Sequence, residues 1–81
     1  MKTLTKLDSG LSVYIFDDAE FISQNSTSTT VGSPVKFYIL DCGLDNSKII
    51  ENVTTPSDWK GSKYFFDGVT WTLNLEYVVA S

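Results

Sequence analysis

Apolar and polar residues alternate with a period of two along much of this 81-residue chain. The clearest case is residues 69–77, where every second residue is apolar and Thr, Asn and Glu stand between them. Successive side chains of a strand point to opposite faces, so this pattern predicts a half-buried β-strand. A helical period is nearly missing, and the chain is therefore predicted to be all-β.

Two other segments are almost continuously apolar: "LSVYIF" at 11–16 and "VKFYIL" at 35–40. Runs of this kind, rich in β-branched and aromatic residues, predict strands that are covered on both faces. In a domain of two layers, another subunit can supply the second cover. Shorter candidate strands occupy residues 2–7, 20–23 and 48–53.

The strongest turn signal is Asp67-Gly68, which lies between the apolar segments 63–66 and 69–75. An Asp-Gly pair in this setting predicts a hairpin, because the turn needs a residue with positive φ. The polar residues 24–34 predict a loop instead.

Five or six short strands, separated by turn signals such as "DSG" at 8–10, are typical of a barrel or a sandwich. A sandwich needs seven or more strands, so a chain of this length favours a small, strongly bent barrel. Residues 1–81 are predicted to form that barrel as one domain.

Composition predicts that the domain associates with itself. Hydrophobic residues make up 42% of the chain and aromatic residues 14%, which is generous for so small an interior. Small domains often gain stability from disulfides, metals or partner subunits. The single cysteine, Cys42, cannot form an internal disulfide, and without histidine the usual zinc spacings are absent. A homo-oligomer is the support that remains.

The charge balance argues against strong, sequence-specific binding of nucleic acid. The net charge is −4, and all six basic residues are lysines. Arginine makes most bidentate contacts to phosphates and bases, and an acidic chain does not attract polyanions over a distance. No signal peptide and no apolar run of about 20 residues is present, which predicts a soluble, cytoplasmic protein without membrane contact.

Catalytic chemistry has little support, and no enzyme activity, metal or cofactor is predicted. No histidine is present to activate Ser, Thr or Cys42 as a nucleophile. Asp18 and Glu20, beside Asp17, would share one face of a strand about 6.5 Å apart. A hard cation needs more oxygen ligands than this segment supplies, so a solvated bend is the favoured interpretation.

The segment "DWKGSKY" at 58–64 is the candidate binding site. Trp59, Lys60, Lys63 and Tyr64 place aromatic rings beside ammonium groups around a flexible Gly-Ser. Single-stranded nucleic acid is bound by such groups, with stacking on a ring contributing about 1–3 kcal/mol per base. The alternative is that Trp59 plugs one end of the barrel while the lysines solubilise the turn.

The aromatic hairpin that follows is the candidate subunit interface. Three consecutive aromatic residues point to both faces of a strand, so at least one ring needs cover from outside its own layer. The interface is predicted to use five side chains: Tyr64, Phe65, Phe66, Trp71 and Leu73.

The stretch "DWKGSKYFFDGVTWTLN" at 58–74 resembles a hairpin of short proteins from marine cyanobacterial tailed phages. This resemblance implies a phage or environmental origin and, for a phage protein, the cytoplasm of an infected host cell. The layout of residues 3–16 and 64–73 is similar to the two motifs of Sm-like proteins, small bent barrels that form rings on RNA. Gly68 matches the glycine of the second motif, and Asp67 stands where that family has arginine.

The Sm-like resemblance implies a ring-like homo-oligomer that binds RNA or single-stranded DNA. Its candidate contacts are Trp59, Lys60, Lys63, Tyr64 and Gly68. The alternative is a phage virion or assembly protein that makes protein contacts only.

Overall fold

The computed structural model describes residues 1–77, which contain eight β-strands and no helix. This confirms the all-β prediction. The strands are β1 (Lys2–Lys6), β2 (Ser12–Phe16), β3 (Ile22–Gln24), β4 (Thr29–Val31), β5 (Phe37–Ile39), β6 (Ser47–Ile50), β7 (Tyr64–Phe66) and β8 (Trp71–Leu73).

The first sheet has the order β2-β1-β6, with both pairings antiparallel. The predicted turn at 8–10 joins β1 to β2, and Gly10 there has a φ of 79°. The Gly10 N–H donates to the carbonyl of Lys6 at 2.8 Å, which closes the turn. Because β1 lies between two neighbours, both of its edges are paired.

The second sheet has the order β3-β4-β5, again antiparallel. The prediction of a loop over residues 24–34 is wrong in its middle, because β4 runs through it. Thr29 and Val31 are buried, and Thr29 donates a hydrogen bond to the carbonyl of Cys42 at 2.7 Å. The β-branched residues 29–31 fit a pleated sheet, and this outweighs the polar composition around them.

The third sheet is the hairpin β7–β8, and its position confirms the prediction from Asp67-Gly68. Gly68 has a φ of 104°, and the Asp67 carboxylate accepts hydrogen bonds from the N–H groups of Val69 and Thr70 at 2.8 and 2.7 Å. These two bonds lower the pKa of Asp67. The second arm is shorter than predicted, since β8 covers only Trp71–Leu73.

The hairpin is attached to the first sheet through backbone contacts. Phe65 forms a bridge to Leu11, and the Phe66 N–H donates to the carbonyl of Gly10 at 2.9 Å. The hairpin is therefore bonded to the first sheet at Gly10 and Leu11, between β1 and β2.

The core lies where the first two sheets pack together. Its buried cluster draws on both sheets and on one loop: Leu4, Phe16, Val31, Ile39 and Cys42. Val13, Ile22 and Ile49 pack against this cluster from its margin. The barrel prediction is wrong for the described chain: residues 1–77 form three sheets and no closed barrel, with eight strands where five or six were expected.

The prediction that 35–40 is covered on both faces is also wrong within the protomer. Only Ile39 of this run is buried, while its apolar neighbours are exposed: Val35, Phe37, Tyr38 and Leu40. The physical reason is position, because β5 ends the second sheet and only its inner face meets the core.

Candidate functional site

The predicted binding segment is organised around the carboxylate of Asp58. It accepts hydrogen bonds from the Lys63 ammonium at 2.9 Å and from the Tyr64 hydroxyl at 2.8 Å. The Lys63 bond, followed by the Tyr64 bond, lowers the pKa of Asp58. The same contacts raise the pKa values of Lys63 and of Tyr64.

This arrangement reduces what Lys63 and Tyr64 offer to a polyanion. The Lys63 ammonium also lies 5.9 Å from the centre of the Tyr64 ring. A phosphate near Lys63 would meet the carboxylate of Asp58, and the two negative groups repel each other. Of the two lysines predicted to bind phosphate, Lys60 is exposed and forms no ion pair within the described residues.

Trp59 is held against the first sheet. Its indole Nε1–H donates to the hydroxyl of Ser12 at 2.9 Å, and that hydroxyl contacts the Thr3 hydroxyl at 2.6 Å. The Ser62 N–H donates to the Ser12 carbonyl at 2.9 Å and holds the same turn in place. Trp59 is half-buried as a result. The structure thus binds the Trp59 indole to β2.

The predicted interface residues form an aromatic cluster within the protomer. The Trp71 ring stacks on Phe66 with centroids 4.2 Å apart and meets the edge of Tyr64 at 6.1 Å. The Trp71 Nε1–H donates to the carbonyl of Thr54 at 2.8 Å. Phe66 is buried inside the protomer.

The other predicted interface residues remain accessible in part. Tyr64, Phe65 and Trp71 are half-buried, and Leu73 is exposed. Gly68 lies at the hairpin turn, and no atom stands within 4 Å of the position that a Cβ would take there.

An exposed apolar surface that the sequence did not single out as a site lies along β5. Tyr38 is 61% exposed and Leu40 77% exposed, and Val35 and Phe37 are exposed as well. Lys36 in the same segment pairs with Glu20 through an oxygen 3.1 Å from its ammonium. The signal in the sequence was the apolar run itself, but a run of six residues does not reveal whether its strand ends a sheet.

A cleft of about 500 Å³ opens between the edges of β3 and β6. Its lining combines apolar and polar side chains: Ile22, Gln24, Leu44, Ile49, Ile50 and Glu51. The Gln24 amide donates to the hydroxyl of Ser47 at 3.1 Å. This hydrogen bond joins β3 to β6 and so links the first two sheets.

The acidic segment is engaged in ion pairs. Asp18 lies 2.7 Å from the N-terminal ammonium, and Glu20 pairs with Lys36. No group of three or more metal-ligating side chains occurs in residues 1–77. Burial, followed by the neighbouring charge of Asp41, raises the pKa of the Cys42 thiol, which lowers its fraction of reactive thiolate.

Comparison of the chain with protein-family models, curated proteins and solved structures finds no match. In the part of the chain that the structure describes, no helix is long and apolar enough to span a membrane.

Proposed function

We propose that this chain is a self-associating structural module that works through contacts with protein. The observation that carries the proposal is the exposed apolar segment along β5, where Tyr38 and Leu40 face solvent. In this proposal the chain is a component of a larger assembly, such as a phage virion.

The balance of buried and exposed apolar side chains supports this function. Within the described residues, seven hydrophobic side chains are buried, whereas eleven large ones are exposed. Burying one such side chain completely contributes about 1.5–3 kcal/mol. Covering this surface would therefore add apolar burial that the protomer alone does not provide.

The charges favour protein as the partner over nucleic acid. No arginine is present, the net charge is −4, and Asp58 occupies the predicted phosphate contact of Lys63. The side chains of Tyr38 and Leu40 are uncharged, so they have no electrostatic attraction to a phosphate backbone.

Light scattering over a concentration series tests the proposal. The wild-type chain is expected to have a mass above that of one chain, rising with concentration. Leu40→Lys, which places a charge on the β5 surface, should lower that mass. Val69→Lys is the matched control, since Val69 is 87% exposed at the hairpin turn. A mass of one chain throughout, or equal effects of the two variants, would contradict the proposal.

The second candidate function is a ring that binds RNA or single-stranded DNA through Trp59, Lys60, Lys63, Tyr64 and Gly68. The exposed, unpaired ammonium of Lys60 favours it. Titration with labelled single strands at low and high salt tests this candidate, with Lys60→Ala compared with Lys48→Ala. Salt-dependent binding that only Lys60→Ala weakens would establish it, and binding that salt does not change would exclude it.

A further inference from the structure

We propose that two copies of the chain join through β5, which pairs antiparallel with β5 of the second copy about a two-fold axis at Tyr38. Each copy contributes one three-stranded sheet, so the dimer has a continuous sheet of six strands. This inference rests on the proposed function and specifies its interface.

The edge of β5 can accept a strand. On one side, Thr30 pairs with Tyr38 and Val31 with Phe37, and these contacts satisfy the β4 side of the strand. On the other side, β5 has no neighbouring strand within residues 1–77. An open edge presents N–H and C=O groups to which another strand can bind.

Symmetry limits the possible registers. A two-fold axis perpendicular to the sheet keeps each side chain on its own face of the sheet. Two residues that lie opposite each other in the two copies must therefore have sequence numbers that differ by zero or by an even number. An axis at Ile39 would place Phe37 against the carboxylate of Asp41. An axis at Phe37 would bring Pro34 into the pairing, where it has no N–H to donate.

An axis at Tyr38 gives Phe37, Tyr38 and Leu40 neighbours with apolar surface and places only Val35, which precedes the strand, opposite Asp41. On the outer face, Tyr38 lies opposite Tyr38 of the second copy, and Leu40 packs on the aliphatic stem of Lys36 from the second copy. On the inner face Phe37 lies against Ile39 of the second copy, so the two cores become continuous. Cross-strand pairs of this kind stabilise sheets.

Charge complementarity favours the antiparallel direction. Lys36 precedes β5 and Asp41 follows it, and both are exposed. Antiparallel pairing brings the end of each strand that carries Lys36 to the end of the second copy's strand that carries Asp41, twice in one dimer. A parallel arrangement would instead place like charges together. Lys36 and Asp41 belong to opposite faces of the sheet, so this attraction acts between the strand ends, and Lys36 keeps its pairing with Glu20.

The size of the surface predicts a dimer that depends on concentration. The exposed parts of Val35, Phe37, Tyr38 and Leu40 amount to on the order of 400 Å² per copy, below the roughly 800 Å² typical of a stable interface. The backbone pairing of β5 adds to this area, so association at the weak end of specific interfaces is expected.

Disulfide trapping in a Cys42→Ala background tests the register. Tyr38→Cys places two thiols opposite each other across the axis, within the Cα separation of about 7 Å that a disulfide allows. Leu40→Cys is the control: Leu40 is more exposed than Tyr38, but its two copies would lie about 13 Å apart along the strands. Circular dichroism checks that each variant folds.

Mild oxidation followed by non-reducing electrophoresis should give a covalent dimer with Tyr38→Cys and none with Leu40→Cys. The double variant Lys36→Cys/Leu40→Cys should also cross-link, which keeps the test informative if Tyr38→Cys does not fold. Equal cross-linking of Tyr38→Cys and Leu40→Cys would overturn the register. If light scattering shows association without these links, the inference fails and the proposed function stands; a monomer at every concentration would overturn both.

Discussion

β1 and the segment 35–40 contrast sharply in composition and burial. Two of the three central residues of β1 are threonines, yet Thr3, Leu4 and Thr5 are all fully buried. The segment 35–40 is far more apolar, and most of it faces solvent. Position in the sheet order accounts for the difference, because β1 is central in its sheet and β5 is terminal. Burial here follows the number of neighbouring elements and not the hydrophobicity of the strand.

The two faces of β1 are covered by different elements. Leu4 points into the core cluster between the sheets. Thr3 and Thr5 lie on the opposite face, where the Thr3 hydroxyl contacts Ser12 and Trp59 is bonded to that same serine. The turn that carries Trp59 is therefore bonded to β2 beside this face of β1, whereas Tyr38 and Leu40 on the outer face of β5 are exposed.

The largest expected effect is a difference in stability between a variant of β1 and a variant of the segment 35–40. Leu4→Ala should destabilise the fold by about 2–5 kcal/mol, because it leaves a cavity in the core. Leu40→Ala, at an exposed position, should change the stability of the dilute monomer by less than about 0.5 kcal/mol. Chemical denaturation at low protein concentration measures both. Similar losses for the two variants would show that β5 is covered within the protomer.

The second prediction compares the two threonines of β1. The Thr3 hydroxyl contacts the Ser12 hydroxyl and donates to the carbonyl of Tyr14 at 2.9 Å, whereas the buried Thr5 hydroxyl has no hydrogen-bond partner among residues 1–77. Thr3→Val should therefore cost about 1–3 kcal/mol of stability, since polar partners are left unsatisfied.

Thr5→Val is the matched control on the same face of the same strand. It removes a buried, unpaired hydroxyl at nearly constant shape, so the free energy of unfolding should stay the same or rise by about 1 kcal/mol. Urea denaturation of both variants gives the comparison. A loss for Thr5→Val as large as that for Thr3→Val would mean that the Thr5 hydroxyl has a partner.

A smaller change in stability is expected when Trp59 is replaced. Trp59→Phe keeps an aromatic ring but loses the hydrogen bond to Ser12, which should cost about 1 kcal/mol. Lys60→Ala, in the same turn but exposed, serves as control and should leave stability unchanged. Thermal unfolding followed by circular dichroism measures the pair. Equal stability of Trp59→Phe and wild type would show that the hydrogen bond from Trp59 to Ser12 does not stabilise the fold.

The smallest predicted effect concerns pH. The folded-state pKa of Asp58 is lowered by Lys63 and Tyr64, so its contribution to stability is present above the unfolded pKa of about 3.9 and is lost as pH falls through the lower folded value. Asp58→Asn should lower the melting temperature slightly at neutral pH, and the two melting curves should converge in acid. Parallel pH profiles would show that the Asp58 contacts do not stabilise the fold.

Local patterns in the sequence predicted local structure well. The hairpin at Asp67-Gly68 and the turn at 8–10 form as expected, because each depends on a few adjacent residues and a glycine with positive φ. The strand over 29–31 was missed because its Thr and Val side chains gain stability from β3 and β5, which lie elsewhere in the chain.

The sequence pattern indicated that Lys63 and Tyr64 lie close together, and the structure places both on the same carboxylate. No local pattern indicated that this carboxylate is that of Asp58. Trp59 was left open between binding and packing, and its bond to Ser12, 47 positions away, favours packing. Contacts over such a distance follow from the fold as a whole.

By itself, the sequence determined that the chain is all-β, where its tight turns lie and that its apolar content exceeds what one small core can bury. These properties follow from side-chain periodicity, from backbone preferences at Gly and Asp, and from counting. Only the tertiary structure decided that threonine-rich β1 is central and that the apolar run at 35–40 lies at an edge. Strand order depends on which distant segments pair, and the local pattern of a strand does not encode its neighbours.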